Sequence, residues 1–208
     1  SSRDNLEEDY RGYESTGSEL TFSDYYNNYI GIRFQNINIP QGATITEAYL
    51  EFTAYDTYRY SGASMQIQAV ANDDADDFYP NYRHQLRDLD KTSGVTWSMP
   101  SFRRYSDYTS PDLSSIVSDI VNRPGWEPGN AMAFVFSDFT SYRGVYSYND
   151  VPSAAPRLVV KFNGNATPGA SSTVRELLIS KVDELSASGY TPIVDTLYEA
   201  VNYYGGRE

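Results

Sequence analysis

Residues 30–52 read IGIRFQNINIPQGATITEAYLEF, and their alternation decides the fold class. Ile30, Ile32 and Phe34 alternate with Gly31 and Arg33, the two-residue period of a strand with one buried face. Ile37-Asn38-Ile39 follows, closed by Pro40-Gln41-Gly42, whose proline and glycine favour a turn. The pattern resumes with Ile45, Ala48, Leu50 and Phe52 against Thr44, Glu47, Glu51 and Thr53. This reads as two strands paired antiparallel across a tight proline–glycine connection, with apolar sides that the remaining strands must cover.

Upstream, residues 1–17 are acidic and polar, with Asp4, Glu7, Glu8, Asp9 and Glu14 and no clear period, and read as an arm. Residues 18–22 form a short strand. Downstream comes a tyrosine-rich loop, then a strand with Met65, Ile67, Ala69 and Ala71 on one side. A strand at Val95-Thr96-Trp97 follows a long irregular segment. Ser110-Pro111-Asp112 reads as a helix start with Ser110 as N-cap, and Leu113, Ile116, Val117, Ile120 and Val121 share one face. Pro124-Gly125 stops this short helix, which should cap an open end of the core. Residues 131–139 are apolar on both sides, the mark of a central strand. Two more strands lie near 145–148 and 158–162. Eight or nine strands with one inserted helix make the chain mainly β, an antiparallel two-sheet jelly-roll β-sandwich over 18–163, with a closed barrel as the alternative.

Residues 164–172 are a linker by composition. Beyond it the period becomes 3.6: Thr173 and Glu176 have capping-box spacing, and Thr191-Pro192 opens a second amphipathic helix. Two C-terminal amphipathic helices without strands of their own must dock on the sandwich or on a partner.

A net charge of −12 argues against nucleic acid as a partner and against anionic lipid. No apolar run is long enough for a membrane-spanning helix, and the first residues lack the basic start and apolar stretch of a signal peptide. Cysteine is absent, so packing or bound metal must hold the fold. Asp73, Asp74, Asp76 and Asp77 offer four carboxylates within five positions and are the candidate Ca²⁺ ligands, against the reading of a solvated acidic loop. Their spacing is not that of an EF-hand. His84 stands alone without a nucleophile motif and reads as a surface residue, so no catalytic residue is assigned. Trp97 and Trp126 read as core. Asn165-Ala166-Thr167 fits a glycosylation sequon.

The chain has 20 tyrosines, many in turn-like polar stretches. Tyrosine beside serine, glycine and asparagine gives large contact area for little lost entropy, as on adaptable binding surfaces. Tyr55, Tyr58, Tyr60, Tyr105 and Tyr108 are the candidate ligand-binding residues, the alternative being strand propensity and half-buried packing.

IGIRFQNINIPQGATITEAYLEFTA, VTWSMPSF, TSPDLSSIVSDIVNRPGW, GNAMAFVFSDF and AAPRLVVKF, in this order, resemble a bacterial surface β-sandwich module related to the DNRLRE-type, carbohydrate-binding-module-like jelly rolls. The tail, TVRELLISKVDELSASGYTPIVDTLYEAVNYYGG, resembles part of the von Willebrand factor A domain of PilY-type pilus-tip adhesins. That resemblance implies a sandwich inserted in an A domain whose first strand lies upstream of Ser1. In the family a turn threonine, matched by Thr191, joins a D-x-S-x-S motif in holding Mg²⁺. Here the D-x-S-x-S is missing and Tyr190 replaces a glycine, so Mg²⁺ at Thr191 requires a complete A domain. The implied function is a non-enzymatic adhesion module on the bacterial cell surface. Its partners would be a surface glycan, a protein receptor or pilus subunits. The alternatives are a self-associating subunit of an extracellular filament and a carbohydrate-binding module.

Overall fold

The computed structural model describes residues 3–12, 14–15, 19–25, 29–79 and 84–163. The expected C-terminal helices, Thr191 and the sequon lie outside them. The described part is mainly β, an antiparallel sandwich. Its first layer is a six-stranded sheet of β1 (Asn5–Glu8), β2 (Glu14–Ser15), β4 (Tyr29–Phe34), β6 (Ala63–Ala69), β7 (Val95–Met99) and β9 (Met132–Ser137). The spatial order is β2-β1-β4-β9-β6-β7. The second layer is made of two smaller sheets. One is β11-β5-β8, from Arg157–Asn163, Thr44–Thr53 and Asp107–Thr109; the other is β10-β3, from Arg143–Tyr146 and Glu19–Phe22. A bridge between Ala54 and Val145 links β5 to β10. A short helix α1 (Gln85–Asp88) precedes β7, and α2 (Ser114–Val121) lies between β8 and β9.

The inner faces meet through aromatic rings. Phe22 of β3 lies 5.6 Å from Phe136 of β9, and Phe52 of β5 lies 5.9 Å from the same ring at 79°. Phe52 also stacks on Trp97 of β7 at 5.5 Å. Offset and edge-on pairs of this kind are favourable beyond the area they bury. Strand β9 is buried along its whole length, as its two apolar sides require. Met132, Phe134 and Phe136 face the main core, while Ala133 and Val135 join a second cluster with Leu6, Val70, Phe78 and Leu86. Val70, Ala75, Phe78 and Leu86 therefore cover the outer face of the six-stranded sheet. Helix α2 buries Ile116, Val117, Ile120 and Val121 against the core. Trp126, 1 % exposed, donates its indole N–H to the Ile39 carbonyl at 2.9 Å. Both tryptophans are core.

Three expectations are corrected. Strands β4 and β5 do not pair; β4 lies between β1 and β9, and β5 between β11 and β8. Their connection crosses between the layers instead of reversing within one. It is pinned from outside, with Ile37 N–H bonded to the Asn130 carbonyl, Gly42 N–H to the Val121 carbonyl, and Ile39 buried. The stretch taken as an arm supplies β1, paired with β4 from Asn5↔Ile32 to Glu8↔Tyr29. Its polar side chains hid it, because they are bonded from afar: the Glu7 carboxylate accepts the Thr21 N–H, and Glu8 accepts the Leu86 N–H at 2.7 Å. Finally, Ser110 does not cap α2. Its hydroxyl accepts the Leu50 N–H at 3.0 Å, and the helix starts four residues later, with Asp112 accepting the Ser114 N–H.

Candidate functional site

The connections β5–β6, β7–β8 and β9–β10 meet at one end of the sandwich, and all five candidate tyrosines lie there. The strands deliver them in register. Tyr58 and Phe102 exchange backbone hydrogen bonds at 2.8 Å, the Tyr55 N–H reaches the Gly144 carbonyl at 2.9 Å, and the Tyr105 N–H reaches the Ala54 carbonyl at 2.9 Å. Beneath them sits Arg143, 2 % exposed. Its guanidinium donates to the carbonyls of Tyr142, Tyr60 and Pro100 and lies 5.7 Å from the Tyr58 ring and 5.4 Å from the Phe102 ring. A buried charge survives when its donors are satisfied by dipoles and ring faces.

The five tyrosines divide into supports and presenters. Tyr108 stacks on Phe102 at 4.1 Å and 16°, and its hydroxyl accepts the Arg103 N–H at 2.7 Å. Tyr58 is half-buried against Tyr142, ring centres 5.1 Å apart. Burial, then its hydrogen bond with Tyr142, holds its phenol far above the ordinary range, so it stays neutral. Tyr55 packs edge-on against Tyr146 at 5.2 Å. Tyr60 and Tyr105 face outward, 85 % and 66 % exposed. Tyr105 occupies the left-handed region, φ 66°, which a bulky residue rarely adopts, and its ring stacks on Tyr146 at 6.2 Å and 12°. Over it lies the Arg104 guanidinium, 4.6 Å from the ring centre and hydrogen-bonded to the Tyr146 hydroxyl. That hydrogen bond raises the Arg104 pKa.

Arg104, Arg143, Tyr142 and Tyr146 complete this end but were not among the assigned site residues. The signal for them is the clustering of arginine with tyrosine in 102–108 and 142–146. Nothing local in the sequence shows that these two runs touch.

The acidic candidates lie with the cover of the outer sheet face, and they are not brought together. Asp73 pairs with Arg123 Nε, and Asp77 with Arg3 at 3.2 Å. The Asp74 carboxylate accepts the Ala131 N–H at 2.7 Å, while Asp76 is exposed. Among the described residues no three His, Cys, Asp or Glu side chains gather as a metal site would need. Asp73, Asp74 and Asp77 fasten the 71–79 segment to its neighbours. His84 lies with its Nδ1 3.9 Å from the Glu8 carboxylate. No helix among the described residues is long and apolar enough to cross a membrane. Comparison with protein-family models and with curated proteins found no match to this chain.

Proposed function

We propose that the sandwich is a non-catalytic recognition module of a bacterial surface or pilus-associated protein, holding a surface glycan or protein receptor at its tyrosine-rich end. The observation that carries this reading is the exposure of Tyr60 and Tyr105 at this end, with Arg104 4.6 Å from the Tyr105 ring, Tyr146 beside that ring, and the buried Arg143 bonded to the Tyr60 carbonyl. Outward ring faces on a pre-ordered base give contact area with little entropy left to lose, and a guanidinium beside them adds directed donors. The experiment is binding of the full chain to a glycan array and to immobilised host cells. Replacing Tyr60 and Tyr105 together by Ala should weaken retention about tenfold or more while leaving the melting temperature unchanged, since neither ring supports the core. Retention equal to that of the unaltered chain would sink the reading.

A further inference from the structure

The second layer of the sandwich has an opening along one strand edge. A cleft of 540 Å³ lies there, with Leu20 of β3, Ile32 and Phe34 of β4, Ile37 and Leu158 of β11 among its walls. Asn5 also lines it. That residue is 4 % exposed, and among the described residues its Nδ2 has no hydrogen-bond partner, although its Oδ1 accepts from Asn149. An orphaned buried donor carries a penalty unless something supplies an acceptor. Arg33 pairs with Asp4 at 2.9 Å, and Arg157, whose side chain stays 68 % exposed, with Glu51 at 2.7 Å.

Among the described residues the backbone beside the cleft is unpaired as well. Ala48 and Leu50 of β5 turn their N–H groups to Asp112 and Ser110, so it is Glu47, Tyr49 and Glu51 that bond to β11. Their partners Lys161, Val159 and Arg157 face β5, which leaves the N–H and C=O of Leu158 and Val160 on the outer edge. Among the described residues no strand pairs there. The side chains of Leu158 and Val160 point to the core, while Arg157 and Lys161 stand on the opposite face, 68 % and 66 % exposed.

We propose that this edge takes one further strand from a partner protein, an extended segment alternating acidic and apolar residues. Its carboxylates would lie beside Arg157 and Lys161, its apolar side chains would fill the cleft, and it would offer Asn5 Nδ2 an acceptor. Strand β5 already shows the complement on the other edge, where Glu47 and Glu51 meet Lys161 and Arg157 around Ala48 and Leu50. A second copy of β11 paired antiparallel about Val159 is disfavoured, because that register sets Arg157 against Lys161, and like charges across a ladder are unfavourable. Main-chain hydrogen bonds give such an added strand its affinity and alternate side chains its selectivity. This surface is separate from the tyrosine-rich end, and neither reading depends on the other.

The probe is the capped peptide acetyl-TEAYLEF-amide, the sequence of residues 46–52, titrated into the full chain labelled with ¹⁵N. The backbone amides of Leu158 and Val160 and the side-chain amide of Asn5 should shift together and saturate. A peptide with both glutamates replaced by lysine should bind about tenfold more weakly, as should the chain carrying Arg157→Glu and Lys161→Glu. Shifts elsewhere, none up to the solubility limit, or equal binding of the lysine peptide would each overturn the proposal. So would the same amides shifting with protein concentration alone, which would mean self-pairing.

Discussion

Glu8 shows how a single residue can contradict the polarity of its own sequence. Its side chain is fully buried on β1, where Oε2 accepts the Leu86 N–H and Oε1 has no hydrogen-bond partner among the described residues. Burial raises its pKa above the ordinary carboxylate value, more than the Leu86 and Arg87 N–H groups and the charges of His84 and Arg87 lower it. A raised acid pKa means that the folded state binds the proton more tightly than the unfolded chain. Ionised Glu8 therefore costs stability above its folded pKa. The cost is relieved as pH falls through that value, and the contribution is level again below the ordinary value of 4.5. Thermal melts of Glu8→Gln against the unaltered chain should show the variant gaining relative stability as pH rises through this window. A difference that does not vary with pH would contradict the assignment. Arg143 is equally illegible from sequence, because its carbonyl partners on Tyr60 and Pro100 come from loops 83 and 43 residues away.

At the scale of the element, periodicity was a sound guide wherever apolar side chains alone set the face. Strand β9 and the buried stripe of α2 follow their sequence pattern. Strand β1 escaped it because Leu6 is its only apolar residue, and its remaining side chains are polar yet buried. Strand β4 adds a second lesson at Gly31. On the outer face it leaves the space into which Phe78 and Leu86 pack; a Cβ there would lie 2.8 Å from Phe78 Cζ and 2.7 Å from Leu86 Cδ2. Gly31→Ala should therefore push Phe78 and Leu86 off the sheet and destabilise the fold by about 1–3 kcal/mol in urea unfolding. An unchanged midpoint would mean that this cover is not packed as described.

For the whole molecule, the consequence is a sheet covered on both sides. The aromatic core covers its inner face, and Val70, Ala75, Phe78 and Leu86 with Leu6 cover the outer one. Strand β1 belongs to both arrangements. It continues the sheet beyond β4, places Leu6 in the outer cluster, and carries Asp4 next to the Arg33 that also bonds the Ala75 carbonyl. Deleting residues 1–10 should lower stability by at least about 3 kcal/mol, the cost of losing a fully buried leucine together with its neighbours' packing. Urea unfolding of the truncated chain checks this, and a midpoint equal to that of the full chain would restore the reading of a free arm.

By itself, the sequence determined the class of the described part, its central strand, the buried face of its one amphipathic helix and the burial of both tryptophans. Each of these follows from side-chain spacing within a single element, which the chain carries locally. Tertiary structure alone decided that β4 and β5 belong to different layers and that two distant arginine–tyrosine runs form one surface. It also decided which distant groups Asp73, Asp74 and Asp77 bond to, and that a strand with two glutamates is buried. These depend on hydrogen bonds and ion pairs between residues tens of positions apart, and no local pattern specifies the far partner of a polar group.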